Sequence, residues 1–319
     1  MSFTITGTGK SVPAQIVTND MLTDFLDTSD EWITERTGIK TRHIIENESL
    51  LEHAAEAAKE AISDAGLTPD DIDAVICSTL QGDFVSPSLS CLLSKEVGIK
   101  TGRMLDVNMG CCGFVYALDA ADSYIMSGRA EKVLVVCAEH LTKMADWTDR
   151  GTCVLFGDGA GAVVVEKSDT MTDFVLDIDG NSEPLNILGY GSNCPYSEKA
   201  DRGYLKMSGQ EIFKFAVSSI TTDIKNILKK NSLTVDDISH FVLHQANMRI
   251  ISFAQQRLKL SDEKVPHNVE EYGNTSSASI PLVLDDLNKN GKLEKGAKIV
   301  LSAFGAGLSR GACVIEWGK

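Results

Sequence analysis

The feature that most constrains the fold of this 319-residue chain is a repeat within its own sequence. Both halves contain a helix end, an L-T-x-D-D-I segment and an apolar strand, and both close on a Gly-rich turn followed by another apolar strand. The matched pairs are GLTPDDIDAVICS (66–78) with SLTVDDISHFVLH (232–244), KVLVVCAEH (132–140) with KIVLSAFGA (298–306), and FGDGAGAVVVE (156–166) with FGAGLSRGACVIEW (304–317). These matches predict two homologous halves, residues 1–168 and 169–319.

Strand-like and helical stretches alternate within each half. The helical stretches are 50–65, 111–128, 209–230 and 276–290. Residues 111–128 are apolar on nearly every side, so we expect this helix to be buried. Strands that alternate with helices predict an α/β protein with two mostly parallel sheets covered by helices, the buried helices lying between the sheets.

Charge and composition exclude several classes of protein. The net charge is −15, from 30 Lys and Arg against 45 Asp and Glu, which disfavours binding to nucleic acid or to an anionic membrane surface. No apolar run approaches the roughly 18 residues that would cross a bilayer. None of the eight cysteines forms a C-x-x-C pair, which argues against a zinc or iron–sulfur site. Because we find no secretory signal, we expect the protein to be cytoplasmic. We also expect it to hold no metal.

The first candidate for chemistry is the segment MLDVNMGCCGFVYALDAA, residues 104–121. A strand ends near Val107, Gly110 permits a sharp turn, and a buried helix begins. This places Cys111 or Cys112 at a helix N-terminus, where free N–H groups and the helix dipole favour the thiolate, the nucleophilic form of cysteine. The alternative is that both cysteines are small core residues, since buried Cys is common.

Polar groups of the second half could complete a site. His244 follows an apolar strand, at the place where α/β sheets put ligand-binding and catalytic groups. Asn274 lies in a turn before a helix and can donate a hydrogen bond to a developing oxyanion, or can simply be a turn residue. Glycines in AFGAGLSRG (303–311) let backbone N–H groups approach an oxyanion or a phosphate. His244 can also be a hydrogen-bonded loop residue, which is our interpretation of the other five histidines.

Together these segments resemble β-ketoacyl-acyl-carrier-protein synthase III, a family of thiolase-like condensing enzymes. The resemblance is carried, in the family's order, by SDEWITERTGI (29–39), CCGFVYAL (111–118), DWTDRGTCVLFGDGAGA (146–162), SGQEIFKFAV (208–217), HQANMRI (244–250), GNTSSASIP (273–281) and FGAGLS (304–309). It implies a thiolase-like, five-layer αβαβα sandwich. It also implies condensation of an acyl-CoA primer (acetyl-CoA or a short or branched acyl-CoA) with malonyl-acyl carrier protein, the step that initiates fatty-acid synthesis. No bound cofactor is implied, because acyl-CoA is a substrate.

The family's functional residues carry over one by one. The nucleophile matches Cys111, the cysteine that is followed by x-Gly-Phe, and His244 and Asn274 match the rest of the catalytic set. The backbone N–H groups of Cys111 and Gly307 match the oxyanion hole. The positions that bind coenzyme A and its pantetheine arm are matched by Trp32, Arg36, Arg150, Gly209, Phe213, Ala246, Asn247 and Phe304.

The resemblance also implies partners for the chain, namely acyl-CoA, acyl carrier protein and a second copy in a homodimer. Acyl carrier protein is acidic and so is this chain, so a local cationic patch must receive it. Arg249 matches the family's docking arginine. Lys214 and Arg257 lie on predicted helices that flank the same entrance.

Three positions depart from the family pattern and leave the primer's size open. Cys112 stands where a small residue such as Ala is usual, Arg310 where Trp is common, and Ser86 where many members have a bulky gate residue. Cys112 is then either a harmless isostere or a second thiol.

Three other functions stay open at this point. One is a related condensing enzyme or acyltransferase of secondary metabolism, of polyketide or quinolone type. Another is a cysteine-dependent thioester hydrolase, which would release free acid and need no malonyl donor. The third is a non-catalytic binding module. A degradative thiolase is disfavoured, because Phe304 stands where that enzyme has its second cysteine.

Overall fold

The structure is a computed structural model that describes residues 2–189, 194–196 and 203–319. The strands in these ranges are β1 (Ser2–Ser11), β2 (Gln15–Thr18), β3 (Thr41–Ile44), β4 (Ala74–Ser78), β5 (Met104–Val107), β6 (Lys132–His140), β7 (Asp158–Ser168), β8 (Thr172–Ile178), β9 (Leu185–Ile187), β10 (Leu205–Met207), β11 (His240–Leu243), β12 (Lys298–Gly305) and β13 (Ser309–Glu316). The helices are α1 (Asn19–Leu22), α2 (Asp30–Thr37), α3 (Leu50–Asp64), α4 (Leu89–Val97), α5 (Gly113–Met126), α6 (Gly209–Lys230), α7 (Met248–Leu258), α8 (Val269–Tyr272) and α9 (Ser279–Lys289).

Local sequence accounts for the helix boundaries. The hydroxyl of Ser49 accepts a hydrogen bond from the Glu52 N–H at 3.1 Å, and the Glu52 carboxylate accepts one from the Ser49 N–H at 2.7 Å. This capping box satisfies two backbone donors that the first turn of α3 would otherwise leave free. The four predicted helical stretches are confirmed, with the second and fourth each opening in a 3₁₀ turn, Gly110–Cys112 before α5 and Ser276–Ala278 before α9.

Two large sheets form the framework, and both are mixed. The first has the strand order β1-β7-β6-β4-β5, in which β6, β4 and β5 are parallel and β7 is antiparallel to both neighbours. The second has the order β11-β12-β13-β8, in which only the β11–β12 pairing is parallel. Two antiparallel pairs, β2–β3 and β9–β10, lie outside these sheets.

The prediction of mostly parallel sheets is therefore wrong. A parallel pairing needs a crossover long enough to bring the chain back to the starting edge, usually through a helix. The chain from β6 to β7 and from β12 to β13 contains no such α-helix among the described residues, only 141–157 and 306–308. Each second strand therefore returns antiparallel beside the first.

The layers stack as the resemblance implies. Helices α3 and α4 cover the outer face of the first sheet, and α6 and α7 cover the outer face of the second. Helices α5 and α9 lie between the sheets within one apolar core, which includes Phe114, Val283 and Trp317. The α/β class and the five-layer αβαβα order are confirmed. The predicted boundary at residue 168 stays a prediction; it falls at the end of β7.

Within the ranges described, every helix is too short or too polar to cross a membrane.

Candidate active site

A cavity of about 1050 Å³ collects the predicted site residues from both halves of the chain. Cys111 reaches it from the start of α5, His244 from the end of β11, and Asn274 from the turn before α9. Its other predicted lining residues are Trp32, Arg36, Arg150, Gly209, Phe213, Lys214, Ala246, Asn247, Arg249, Phe304 and Gly307. Arg257 does not line the cavity, although it lies on α7, the same helix as Arg249.

Cys111 is the middle residue of the 3₁₀ turn at the head of α5. Gly110 begins that turn with φ of +52°, a conformation that favours glycine. A methyl group added to Gly305 would lie 2.9 Å from the Cys111 nitrogen and 3.1 Å from its Cβ. The end of β12 therefore packs directly against the backbone of Cys111, the predicted nucleophile, and only glycine fits there.

Burial acts on the Cys111 thiol against the sequence expectation. Burial and the nearby negative charge of Glu139 raise the pKa of the thiol to about 12, although the Ser276 hydroxyl lowers it. The helix N-terminus acts in the opposite direction, since it favours the thiolate. The thiolate therefore stays a prediction.

Cys112 faces away from the cavity. Its side chain is fully buried in the core between the sheets, and burial raises the pKa of its thiol. The structure therefore supports the interpretation that Cys112 is a harmless small core residue and not a second reactive thiol.

His244 is held by a serine on the facing helix. Its Nδ1 lies 2.7 Å from the Ser279 Oγ, which also accepts a hydrogen bond from the Gln245 N–H at 3.3 Å. Because the Ser279 oxygen accepts the Gln245 N–H, its hydroxyl hydrogen is free to be donated to the His244 Nδ1. The imidazole then carries its own hydrogen on Nε2. Burial lowers the pKa of His244 to about 3, so the ring is neutral. Phe304 packs edge-on against it with ring centroids 5.3 Å apart.

The Asn274 side chain is oriented by its own turn. Its Oδ1 accepts the Ser276 N–H at 2.9 Å, so the amide NH₂ is the part that remains to donate into the cavity. Its backbone N–H donates to the Leu155 carbonyl at 2.8 Å, and its carbonyl accepts from the Gly157 N–H at 3.1 Å. The amide is thus fixed at both its backbone and its side-chain oxygen.

A cationic, aromatic cluster lies at one part of the cavity wall. The guanidinium carbon of Arg36 lies 4.4 Å from the centre of the Trp32 ring, and that of Arg150 lies 5.2 Å from it. Arg150 also forms an ion pair with Asp27 at 3.3 Å. Two positive charges against a flat ring suit a phosphorylated, aromatic ligand group.

Asn247 ties this cluster to the helix that carries Arg249. Its Oδ1 caps α7 by accepting the Arg249 N–H at 2.8 Å, and its Nδ2 donates to the Arg36 carbonyl at 3.1 Å. Gly209 and Ala246 present small surfaces to the same cavity, as a narrow tunnel for a flexible arm requires.

The predicted docking residues lie on an arginine–phenylalanine surface formed by α6 and α7. The Arg249 guanidinium carbon lies 5.6 Å from the Phe213 ring centre, and that of Arg257 lies 5.9 Å from Phe253. The two phenylalanine rings meet edge-on at 6.1 Å. The aromatic rings contact both arginines, Arg249 at the cavity and Arg257 further along α7.

The two other departures from the family pattern lie away from the cavity lining. Ser86 is exposed in the 80–87 loop, of which Leu80 and Gln81 reach the cavity. Arg310 forms ion pairs with Asp223 and with Asp177. These ion pairs hold α6 against the second sheet. The Arg310 side chain does not line the cavity.

Sequence reasoning missed three residues around the nucleophile. In the sequence Gly305 is one glycine of a Gly-rich turn, and nothing there shows that it packs on Cys111 itself. Glu139 lies near the end of an apolar segment, and its carboxylate is buried. Ser279 orients His244 from within a run of small polar residues. The internal repeat aligns Glu139 with Gly305, and this alignment is the sequence feature that could have pointed to both residues.

Comparisons with known proteins agree with this geometry. Residues 105–183 match the family model for 3-oxoacyl-[acyl-carrier-protein (ACP)] synthase III, and residues 228–317 match the model for its C-terminal part. The chain is 43% identical to the β-ketoacyl-[acyl-carrier-protein] synthase III of Clostridium acetobutylicum, covering 100% of this chain and 99% of that protein.

Solved structures are equally similar over the full length. The 3-oxoacyl-[acyl-carrier-protein] synthase III of Aquifex aeolicus superposes with a TM-score of 0.91 at 42% identity, covering 99% of this chain and 100% of that one. The priming β-ketosynthase of the R1128 polyketide pathway gives 0.93 at 34% identity, covering 100% and 97%. The likeness in sequence, fold and cavity lining shows that this chain belongs to the β-ketoacyl-acyl-carrier-protein synthase III family.

Proposed function

We propose that Cys111, His244 and Asn274 are the catalytic residues with which this acyltransferase performs the initiating condensation of fatty-acid synthesis. The observation that carries the proposal is their convergence: the head of a buried helix, a neutral imidazole and an oriented amide line one cavity. The Trp32 cluster receives the phosphorylated end of an acyl-CoA. The small surfaces of Gly209 and Ala246 admit its pantetheine arm.

Acylation of Cys111 is the first half-reaction. The sulfur attacks the thioester carbon of the primer as the thiol loses its proton, the carbon–sulfur bond to coenzyme A breaks, and coenzyme A leaves with a proton on its own sulfur. The backbone N–H groups of Cys111 and Gly307 donate to the tetrahedral oxyanion. The helix N-terminus stabilises the negative charge that forms on the bound substrate.

Condensation is the second half-reaction. Malonyl carried on acyl carrier protein enters, its carbon–carbon bond to the carboxylate breaks, and carbon dioxide leaves an enolate. The His244 Nε2–H and the Asn274 amide both donate to the enolate oxygen. The enolate carbon then attacks the acyl-Cys111 carbonyl, the carbon–sulfur bond breaks, and 3-ketoacyl carrier protein leaves. The Cys111 sulfur takes a proton from water, which restores the thiol.

Asn274→Ala tests the assignment of the amide. We expect malonyl decarboxylation to fall about 10²–10³-fold, the usual cost of one oxyanion donor, while radiolabelled acyl-CoA still acylates Cys111. Asn47→Ala, on an exposed asparagine, is the matched control. Unchanged decarboxylation in Asn274→Ala contradicts the role given to the amide.

The carrier protein and the second subunit complete the proposal. Arg249 and Lys214 at the cavity, with Arg257 beyond its lining on α7, give the otherwise acidic chain a cationic surface, which suits an acidic carrier protein. We also propose that the chain works as a cytoplasmic homodimer, with the two homologous halves meeting near residue 168 and no bound cofactor.

Discharge of the acyl-enzyme separates the remaining functions. Release of the label from Cys111 only on addition of malonyl-acyl carrier protein supports condensation, whereas release by water alone supports a thioester hydrolase. The likeness to a polyketide priming ketosynthase also makes a secondary-metabolism primer a second candidate. Mass spectrometry of the acyl group retained on Cys111 identifies the primer in either case.

A further inference from the structure

A buried carboxylate that the condensation mechanism does not use lies beside the site. Glu139, near the end of β6, has no exposed surface. Its Oε1 accepts the Ser277 hydroxyl at 2.6 Å and its Oε2 accepts the Leu80 N–H at 3.0 Å. Leu80 lines the cavity, so the carboxylate ties the cavity wall to the turn before α9. Burial of a carboxylate is costly, and both bonds are needed to offset it.

The two halves of the chain place Glu139 and Gly305 in equivalent positions. Cys111 is the middle residue of the 3₁₀ turn before α5, and Ser277 is the middle residue of the corresponding turn before α9. Each turn is backed by the strand end of the other half, the Cys111 turn by Gly305 and the Ser277 turn by Glu139. At the strand end of the first half, the Glu139 carboxylate accepts a hydrogen bond from the Ser277 hydroxyl. At the equivalent position of the second half, Gly305 has no side chain and its backbone packs against Cys111.

The Ser277 turn contacts both catalytic elements. Ser276, its first residue, donates the backbone N–H that holds the Asn274 Oδ1. A methyl group added to Gly113, at the head of α5, would lie 3.1 Å from the Ser277 Cβ. The turn that Glu139 holds therefore packs against the nucleophile's helix and fixes the amide that faces it.

The charge of Glu139 acts on the thiol as well. Burial raises the pKa of Glu139 to about 7, with the Leu80 and Ser277 hydrogen bonds lowering it. The titratable groups that its charge reaches are Cys111 and the buried Cys137. His140, the next residue, faces Asp158 at 3.7 Å, and His244 is neutral across the physiological range.

We propose that Glu139 is a positioning residue of the condensing site, whose carboxylate holds, through Ser277, the turn that orients the Asn274 amide and packs against the helix of Cys111. It acts through Ser277 on the amide and through its charge on the sulfur. The inference rests on the roles proposed for Cys111 and Asn274.

Alkylation of Cys111 by iodoacetamide tests the charge without any acyl substrate. The rate is followed at the Cys111 peptide by mass spectrometry, with exposed Cys91 as the internal reference. We expect Glu139→Gln to be alkylated several-fold faster above pH 7, because removing the negative charge lowers the pKa of the Cys111 thiol. Below pH 7 wild-type Glu139 is itself protonated, so the two rates converge. Asp285→Asn, a buried carboxylate bound to Thr8, should behave as wild type.

Two results would overturn the charge effect. One is equal alkylation rates at every pH, and the other is a rate ratio that does not change with pH, as a purely structural perturbation gives. The wild-type protein supplies the same test without a substitution. Its log rate should rise with pH less steeply than one-to-one near pH 7, where Glu139 ionises, and a uniform slope of one contradicts the inference.

Ser277→Ala tests the positioning. Loss of a hydrogen bond to a charged group corresponds to about a tenfold slower malonyl decarboxylation, with Cys111 still open to alkylation. Ser127→Ala, on an exposed serine, is the control. Wild-type decarboxylation in Ser277→Ala contradicts the positioning role. Failure of the proposed function is separate, because it shows as acyl-CoA labelling that persists in Cys111→Ala.

Discussion

Gly305→Ala is the smallest substitution that disturbs the nucleophile. The new methyl group would lie 2.9 Å from the Cys111 nitrogen and 3.1 Å from its Cβ. Carbon and nitrogen in contact normally stay about 3.5 Å apart, so the turn that carries Cys111 must move by roughly 0.5 Å. Because its N–H is proposed to line the oxyanion hole, the shift displaces the sulfur and an oxyanion donor together.

The expected loss follows from how steeply catalysis depends on geometry. A misplacement of about 1 Å costs about 10²-fold in rate, so we expect acylation of Cys111 to slow about tenfold or more. Overpacking of this kind also costs about 1–3 kcal/mol of folding free energy. Most of the chain's contacts are untouched, so the protein should still fold.

Single-turnover acylation with radiolabelled acyl-CoA, paired with thermal unfolding, measures both effects. Gly102→Ala is the matched control, since no atom lies within 4 Å of its added methyl group and its φ is not positive. Wild-type acylation in Gly305→Ala would refute the packing argument. A variant that melts lower but acylates normally would refute the link between packing and catalysis.

Two further substitutions probe the ligand surfaces. Arg249→Glu should raise the KM for malonyl-acyl carrier protein about tenfold or more and flatten its salt dependence, while exposed Arg129→Glu leaves both unchanged; an unaltered KM contradicts the docking surface. Trp32→Ala removes two cation–π contacts of about 0.5–1 kcal/mol each, so the KM for acyl-CoA should rise several-fold at unchanged kcat; a fall in kcat alone contradicts this role.

Much of the fold could be predicted because each helix carries its own signal. Residues 209–230 were predicted as a helix and form α6 with those bounds, since apolar residues recur along one face from Ile212 to Ile227. Strand direction has no such local signal. Whether β7 runs with or against β6 depends on the length and content of the connection, which a strand's own residues do not show.

For the site, too, the sequence predicts some features and not others. Cys111, His244 and Asn274 lie in distinctive motifs at element ends, and all three meet at the cavity. What the sequence could not show is the effect of surroundings drawn from distant segments. The pKa of Cys111 depends on burial and on Glu139, 28 positions further along the chain, and a helix-terminus argument leaves both effects out.

The neutral state of His244 explains why two weak donors suit this reaction better than one cation. The malonyl group arrives as a carboxylate, and an imidazolium would pair with that charge and stabilise the substrate as much as the transition state. Burial keeps the ring uncharged, and Ser279 directs its hydrogen toward the cavity. In the proposed mechanism, the hydrogen bonds from the imidazole and the Asn274 amide therefore strengthen most when charge moves from the departing carboxylate to the enolate oxygen. That mechanism accelerates the condensation by discriminating between these two states and not by tight binding of the substrate.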